Sequence, residues 1–216
     1  MLYTETLTTD TLELLKRLMQ DEKLSDFHLA GGTNLALILG HRKSIDLDLF
    51  SCHSFDAQTL AEHLVKIYHL NIADLRARDT IKGTINNVKI DLIAHNYPLL
   101  KEPGIYENSI RLYSKEDVAA MKLVAISDNG QRLKDFVDIA YLSTKLSLSQ
   151  MLNAYITKYA SGNQLHVLRG LSYFEDIDFD VQIELTNNRR FDWKTIERRI
   201  LEMIRQEEKV FENEPV

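Results

Sequence analysis

The sequence is poor in cysteine and in long apolar runs, and both absences limit what the protein can be. Its one cysteine, Cys52, cannot form an internal disulfide, which is typical of proteins in a reducing compartment. No apolar run approaches the roughly 20 residues needed to cross a bilayer. Residues 1–5 also lack the basic start and apolar core of a secretory signal. We therefore expect a cytoplasmic protein without a membrane partner.

Basic residues are fewer than acidic ones, 26 against 32, which gives a formal net charge of −6. A broad basic surface for nucleic acid is therefore absent. Local basic residues remain at Arg189-Arg190, Lys194 and Arg198-Arg199. They form either a solvated helix face or a local docking site for a nucleotide or a tRNA end. The chain of 216 residues can bury a core, as one domain or as two small ones.

Hydrophobic periodicity indicates a mixture of helices and strands in the first hundred residues. Helices are predicted at 10–20, 33–39 and 56–69, and strands at 27–30, 45–50, 71–78, 80–85 and 88–94. Asp10 can cap the first helix and Gly40 can end the second. Asn86-Asn87 is expected to form a turn between the last two strands.

The chain changes character after Pro98 and Pro103, and everything beyond Ser114 is expected to be helical. Helices are predicted at 115–127, 131–143, 149–160, 163–173 and 192–209. The fold class is therefore α+β (mixed α/β), with a small mixed sheet in the N-terminal half and an all-helical C-terminal half. We expect residues 1–100 to form a catalytic core and residues 114–216 to contribute to its active-site cleft.

Two glycines mark the point where the first predicted strand meets the following helix. Gly31 and Gly32 let the backbone approach a ligand closely and adopt positive φ angles. Because a helix begins there, free backbone N–H groups point outward, and phosphate is their usual guest. The hydroxyl of Thr33 would add one more donor. A Gly-Gly pair alone is more often a plain turn, so its meaning depends on the residues that come after it.

Two carboxylates, Asp46 and Asp48, leave the same face of the next predicted strand, while Ile45 and Leu47 face the other way. Their Cα atoms would be roughly 7 Å apart, so a cation between them would relieve their repulsion. Mg²⁺ suits such hard oxygen ligands, and Mn²⁺ is the alternative. Asp91, on an otherwise apolar strand, would complete a two-metal site. The other interpretation is an exposed edge strand whose aspartates face water.

Lys122 is the one charged residue in the apolar stretch 118–126, which has the composition of a buried helix. An ammonium group buried without a partner is costly, so Lys122 either reaches the surface or meets an anion; we favour the anion. In the next helix Lys134 and Asp138 are four residues apart, with Asp135 beside them. They form either a surface pair or a network that orients Lys122 or the substrate.

These segments together resemble the AbiEii/AbiGii toxin family, within the nucleotidyltransferase fold of the DNA polymerase β superfamily. The segments that carry the resemblance are Gly31–Leu37, Gly40–Phe50, Asp91, Met121–Leu123, Lys134–Asp138 and Leu171–Asp176. The resemblance implies a toxin of a type IV toxin–antitoxin or phage-abortive system, with a cognate antitoxin as partner. It also implies transfer of nucleotides from NTPs, with tRNA 3′ ends as acceptors in characterised members. Thr33 takes the position where many members have serine, and Lys122 and Asp138 match the family's downstream lysine and aspartate.

The leading hypothesis is therefore a Mg²⁺-dependent nucleotidyltransferase. Its candidate catalytic residues are Asp46, Asp48, Asp91 and Lys122, of which the three aspartates would bind the metal ions. Its candidate nucleotide-binding residues are Gly31, Gly32, Thr33, Arg42, Ser44, Lys134 and Asp138. Arg42 could equally pair with a local carboxylate. Two other hypotheses remain: a protein side chain is the acceptor, as in AMPylation, or the fold is inactive and binds a nucleotide, RNA or partner protein.

Overall fold

A seven-stranded mixed sheet dominates the N-terminal half of the computed structural model, which describes residues 1–75, 77–160 and 162–215. The strands are β1 (His28–Leu29), β2 (Leu47–Ser51), β3 (Asn71–Asp74), β4 (Thr80–Ile85), β5 (Val88–Ala94), β6 (Gly104–Ile105) and β7 (Arg111–Leu112). Their order in the sheet is β3-β4-β5-β2-β1-β7-β6. β2 runs parallel to β5 and β1 runs parallel to β7, while the other neighbours are antiparallel.

Eight α-helices surround and follow this sheet in the described part of the chain. They are α1 (Thr9–Gln20), α2 (Gly31–Leu39), α3 (Ala57–Tyr68), α4 (Lys115–Asp128), α5 (Leu133–Leu142), α6 (Leu148–Lys158), α7 (Gln164–Ser172) and α8 (Trp193–Arg205). Short 3-10 turns occur at Thr4–Thr6, Glu22–Leu24 and Glu107–Ser109. The predicted fold class is confirmed: a mixed sheet precedes a helical C-terminal half.

Helix α2 belongs to both hydrophobic cores of the protein. One core lies between the sheet and helices α1 and α3, and Leu37 of α2 is part of it. The other core lies among the C-terminal helices, and Ala30 and Leu35 are part of that one. α2 therefore holds the Gly31-Gly32 turn where the two halves of the protein meet.

Strands β2 and β5 are neighbours near the centre of the sheet. Because side chains alternate between the two faces of a strand, those that do not point into the core are available for a functional site. Leu47 and Leu49 are buried in the core below the sheet, so Asp48 lies on the opposite face. The parallel register places Asp48 directly opposite Asp91 of β5. Two carboxylates from distant parts of the sequence are thereby brought side by side.

The structure corrects three local predictions. Thr8, not Asp10, caps α1, because its side-chain oxygen accepts a hydrogen bond from the Thr11 amide. β2 begins at Leu47 rather than at residue 45, and the Ile45 side chain is 56% exposed instead of facing the core. The strand predicted at 71–78 ends at Asp74; its Arg76 lies outside the described residues, Ala77 is in a bend, and Arg78 and Asp79 form a turn.

The part of the chain beyond Ser114 is less helical than predicted: α8 ends at Arg205 rather than at residue 209, and the stretch between α7 and α8 packs where the sequence did not predict. Between α7 and α8 the described segment 173–192 contains no helix and returns to the N-terminal half. There Leu185 forms a β-bridge with Arg42. The segment 98–114, predicted as a boundary, supplies β6 and β7 to the sheet.

The remaining turn predictions are confirmed. Gly40 ends α2 with a φ angle of 69°, and Asn86 and Asn87 both have positive φ angles between β4 and β5. Within the described ranges, no helix has the length and apolar character that crossing a membrane requires.

Candidate active site

The Gly31-Gly32 turn allows charged side chains to approach the backbone at the start of α2. Gly31 has a φ angle of 66°, and a Cβ atom there would overlap the carboxylate of Asp48. A Cβ atom on Gly32 would overlap the guanidinium of Arg42. The first backbone N–H groups of a helix have no partner within the helix. The turn therefore combines free donors with a carboxylate and a cation at close range.

Thr33 holds the loop that precedes β2, which differs from the role predicted for it. Its hydroxyl donates a hydrogen bond to the backbone carbonyl oxygen of Asp46. The Ser44 hydroxyl lies 2.7 Å from the same oxygen atom of Thr33. Because its hydrogen is already engaged within the protein, the Thr33 hydroxyl is not the free phosphate donor that the sequence suggested. Both side chains instead fix where Asp46 lies.

The carboxylates of Asp48 and Asp91 in the sheet, and of Asp46 just before β2, form few contacts with cations or hydrogen-bond donors. The carboxylates of Asp46 and Asp48 make no hydrogen bond or ion pair with any described residue. Asp91 has one oxygen 3.2 Å from Lys89 Nζ, while its buried Oδ1 has no hydrogen-bond partner among the described residues. Burial raises the pKa of Asp48; the cation of Lys122 opposes this rise and the charge of Asp91 adds to it.

This arrangement fits a divalent cation by its chemistry. Asp48 and Asp91 are register neighbours on adjacent strands, which lie roughly 4.8 Å apart in a sheet. A cation would relieve the repulsion between them and give Asp91 Oδ1 a partner. In the described ranges, however, no three acidic, histidine or cysteine side chains converge closely enough to hold a metal ion as they stand.

A second group of charges is paired internally, and we call it the buried network: His41, Arg42, Lys122, Asp135 and Asp138. Arg42 donates two hydrogen bonds to Asp138, from Nε at 2.7 Å and from its terminal nitrogen at 3.0 Å. Lys122 Nζ forms an ion pair with Asp135 and lies 2.8 Å from Asp138 Oδ2. His41 Nε2 lies 2.8 Å from Asp138 Oδ1. Helices α4 and α5 are thus tied to the loop after α2.

The pKa shifts in the buried network follow from these contacts. Burial by itself would raise the pKa of Asp138, but the charges of Arg42 and Lys122 outweigh it and hold that pKa well below its usual value. Burial likewise opposes the charge of Lys122, yet Asp135 and Asp138 raise its pKa. Burial lowers the pKa of His41, so its ring is neutral near pH 7. Because the Asp138 carboxylate only accepts, His41 Nε2 carries the hydrogen and donates it.

The buried network settles several alternatives that the sequence left open. Lys122 was expected to meet the triphosphate; within the protein it meets the carboxylates of Asp135 and Asp138. Arg42 pairs with a carboxylate, although that carboxylate is 96 residues away rather than local. Asp138 is fully buried and does not line the cleft. Lys134 forms no hydrogen bond or ion pair with it, and lines the cleft instead.

Sequence reasoning missed His41 and gave Asp135 no role of its own. His41 is fully buried, and its Nδ1 has no partner among the described residues. The available signal was His41-Arg42 directly after the helix-ending Gly40, a position where charged residues normally reach solvent. Their partner lies on α5, and nothing in the local sequence identifies it.

A cleft of about 850 Å³ lies between the two halves of the protein. The N-terminal half contributes Gly32, Thr33, residues 42–46 and Asp48, and the C-terminal half contributes Lys122, Arg132, Lys134, Asp135 and parts of 179–191. The last segment is anchored by backbone hydrogen bonds from Lys43 to Glu184, 2.8 Å, and from Thr186 to His41, 3.1 Å. Among the described residues, Lys134 and Arg190 line the cleft without an ion-pair partner. The helical half therefore does contribute to the cleft, and it supplies cations opposite the sheet carboxylates.

Comparison with known proteins agrees with this geometry. A protein of Aquifex aeolicus (strain VF5), aq_aa25, is 30% identical over 169 residues, which cover 76% of this chain and 81% of that protein. The nucleotidyltransferase toxin MenT4 (Rv2826c) of Mycobacterium tuberculosis H37Rv has a similar structure, with a TM-score of 0.56 at 13% identity. The match covers 91% of this chain and 84% of MenT4.

The antibiotic-resistance factor ANT(2'')-Ia is similar with a TM-score of 0.53 at 14% identity, over 71% of this chain and 96% of that one. At such identities these two likenesses concern the fold. A family model described as nucleotidyl transferase AbiEii toxin, type IV toxin–antitoxin system, matches residues 13–213. The chain therefore belongs to the AbiEii family of nucleotidyl transferase toxins, and it is an enzyme of the nucleotidyl-transferring class.

Proposed function

We propose that the protein transfers a nucleotide from an NTP to the 3′ end of a tRNA, with Mg²⁺ held by Asp46, Asp48 and Asp91. The observation that carries the proposal is the meeting of two features in one cleft. The N-terminus of α2 offers free backbone donors, and Asp48 beside it carries charge that no described residue pairs. A triphosphate with its metal ions complements both at once.

The metal ions would supply charge neutralisation to the triphosphate and would lower the pKa of the attacking hydroxyl. The chain's own residues prepare the site for them. Thr33 and Ser44 fix the backbone at Asp46, and the register of β2 and β5 fixes Asp48 beside Asp91. Burial raises the pKa of Asp48, and the charge of Lys122 nearby opposes that rise.

The phosphates of the NTP would contact Gly32 at the start of α2 and Lys134 across the cleft. Lys134 is suited to this because it lines the cleft and makes no ion pair with any described residue. Arg42 has a different role. Its guanidinium is hydrogen-bonded to Asp138 and lies against Gly32, so it supports the turn rather than holding a phosphate by itself.

The acceptor and the antitoxin come from the family resemblance, in which tRNA 3′ ends accept the nucleotide in characterised members. Arg190 and Arg132 on the cleft rim are suited to a negatively charged acceptor. Within a type IV toxin–antitoxin system, we expect a cognate antitoxin to relieve growth inhibition caused by this chain.

The test is incorporation of label from each of the four α-³²P-NTPs, with Mg²⁺ or Mn²⁺, into total RNA or total protein. We expect label in tRNA, and a loss of at least about 10³-fold in the Asp48→Asn variant, which corresponds to about 4 kcal/mol of barrier. Asp10→Asn, an exposed carboxylate in α1, is the matched control and should keep full activity. Label in protein would identify a protein acceptor instead, and full activity of Asp48→Asn would overturn the metal assignment.

A further inference from the structure

An exposed aromatic side chain, Phe179, lines a cleft whose other walls are mostly charged or polar. It is 52% exposed. Single exposed apolar residues are common on protein surfaces, so exposure alone means little. Phe179 shares one cavity with Gly32 and Lys134, where the phosphates are proposed to bind, and it is the more exposed of the two phenylalanines, Phe179 and Phe191, that line it.

Phe179 is also held in place rather than loosely attached. Its ring packs edge-to-face against Trp193, with ring centroids 5.4 Å apart and an interplanar angle of 73°. Trp193 in turn packs against Phe174 and Phe136, at 5.4 Å and 6.0 Å. The ring is therefore supported by a row of aromatic side chains that leads into the helical core.

Hydrogen bonds also fix the backbone on both sides of Phe179. The Asp178 amide donates to the carbonyl oxygen of Gln131, 2.9 Å away, near the start of α5. The Asp180 amide donates to the Asp178 carboxylate at 2.9 Å. An aromatic ring whose position is set before a ligand arrives can bind a flat ligand without ordering itself first.

We propose that Phe179 is the platform on which the base of the bound NTP stacks. This inference depends on the proposed function, because it places a nucleotide in the cleft. An NTP has one polyanionic end and one flat, largely apolar end. The cleft of about 850 Å³ offers a matching surface for each: backbone donors and cations for the first, and an aromatic ring for the second. The triphosphate meets Gly32 and Lys134, and the base lies on Phe179. Ile45, which is 56% exposed and lines the same cleft, adds apolar surface.

Removing a stacking aromatic side chain weakens nucleotide binding by roughly ten-fold or more. The effect should be confined to ligands that carry a base. Inorganic tripolyphosphate, which has the anionic end only, should bind equally well with or without the ring. This difference separates a stacking role from a general role of Phe179 in the shape of the cleft.

The experiment measures the affinities of ATP, GTP, CTP, UTP and inorganic tripolyphosphate by calorimetry, with Mg²⁺ present. It compares the wild-type chain with Phe179→Ala, Phe179→Tyr and Tyr173→Ala. Tyr173 is a matched control because it is a similarly exposed aromatic residue, 47%, that does not line this cleft. We expect at least one NTP to bind the wild type about ten-fold or more tightly than tripolyphosphate. This preference should vanish in Phe179→Ala and persist in Phe179→Tyr and Tyr173→Ala.

Trp193 is the sole tryptophan of the chain, so its fluorescence provides a second measurement. A base stacked on Phe179 should change the Trp193 emission, whereas tripolyphosphate should leave it unchanged. An NTP preference that survives in Phe179→Ala would overturn the inference while leaving the proposed function intact. An equal loss of tripolyphosphate affinity in that variant would also overturn it, because the ring would then shape the cleft rather than carry the base. If neither NTP nor tripolyphosphate binds the wild type, the proposed function itself fails and the inference fails with it.

Discussion

The two walls of the cleft treat charge in opposite ways. What we call the helical wall is the buried network, which ties α4 and α5 to the loop after α2 and lines the cleft with Arg42, Lys122 and Asp135. Each cation of this network lies against a carboxylate at short range. On the sheet wall, the carboxylates of Asp46 and Asp48 meet no cation at ion-pair distance in the described residues. Asp91 lies beside Asp48 in the sheet but outside the lining of the cleft. It has one exposed lysine beside one oxygen and, within the same described ranges, no hydrogen-bond partner at the other.

We interpret this difference as a division of labour: the paired charges hold the fold, and the unpaired carboxylates are those proposed to bind the metal ions. Buried charges that lie in ion pairs cost much to disrupt and have little left to offer a substrate. One oxygen of the network, Asp135 Oδ2, has no hydrogen-bond partner among the described residues and meets only the exposed Arg132, 3.3 Å away. Buried charges without partners destabilise the folded chain and are ready to bind an ion. If this interpretation is right, substitutions on the helical wall should affect stability, and substitutions on the sheet wall should affect activity.

The largest stability effect is expected from Asp138→Asn. This change removes the charge that Arg42 and Lys122 share, which leaves Arg42 buried without a carboxylate partner and Lys122 with Asp135 alone. We expect a loss of about 3–5 kcal/mol in the free energy of unfolding, measured by urea denaturation. Asp46→Asn is the matched control and should change it by less than about 0.5 kcal/mol. A loss below about 1 kcal/mol for Asp138→Asn would remove the distinction between the walls.

The second prediction asks whether acid weakens the protein through histidine rather than through the buried network. Burial lowers the pKa of His95 to about 4, with the charge of Lys158 acting in the same direction. Between pH 6.5 and 4 the unfolded chain binds a proton there that the folded chain does not. Stability should therefore be full above pH 6.5 and fall as the pH drops toward 4. For this partly exposed group the loss is on the order of 2 kcal/mol.

Urea unfolding of wild type and His95→Gln at about pH 7.5, 5.5 and 4.5 tests this. The variant should show a smaller loss on acidification, although not zero, since burial lowers the pKa of His28 and His41 too. An unchanged pH dependence in the variant would mean that other groups, including the carboxylates of the buried network, are responsible.

The third prediction concerns Lys134, a cation that faces the cleft from the helical side. Lys134→Gln should raise the KM for NTP roughly ten-fold, or about 1.4 kcal/mol, because a phosphate partner is lost. Its melting temperature should not change, since the side chain makes no ion pair with any described residue. Lys194→Gln, an exposed lysine in the first turn of α8, is the matched control for both measurements. A drop in stability would place Lys134 with the network instead.

The smallest effect is a gain in stability from Asp48→Asn. Burial and the charge of Asp91 raise the pKa of Asp48, so its ionised form is unfavourable in the folded chain without a cation. Neutralising it should stabilise the metal-free protein by on the order of 1 kcal/mol while it abolishes activity. The measurement is the melting temperature in the presence of a chelator. A clear loss of stability there would show that Asp48 serves the fold.

The carboxylates of the sheet wall were easier to predict from the sequence than the ion pairs of the helical wall, for a physical reason. Asp48 and Asp91 could be predicted as neighbours of one site because each interrupts an apolar strand, whereas Asp46, predicted by the same alternation, lies before β2. Period-two alternation is a local rule, so it can be read without the fold. For the pairing of Arg42 with Asp138, no local rule exists, because 96 residues separate them.

The position of the segment 173–192 could not be predicted from the local sequence either. Its sequence gives no sign that Leu185 pairs with Arg42 or that Phe179 lines the cleft. Alternation with Leu47 predicts that Ile45 faces the core, but β2 starts only at Leu47. Where a strand begins depends on the strand beside it, and β2 pairs with β5 only from Leu47 onward.

The sequence by itself therefore determined the mixed fold class, the Gly31-Gly32 turn and the carboxylates of the sheet, because each follows from backbone freedom or from short-range periodicity. Only the tertiary structure decided which charges pair. It bound Arg42 and Lys122 to Asp138, engaged the Thr33 hydroxyl and left Lys134 open to the cleft. The reason is physical: a charge acts on whatever lies within a few ångströms of it, and that neighbourhood exists only after the two halves of the chain have packed together.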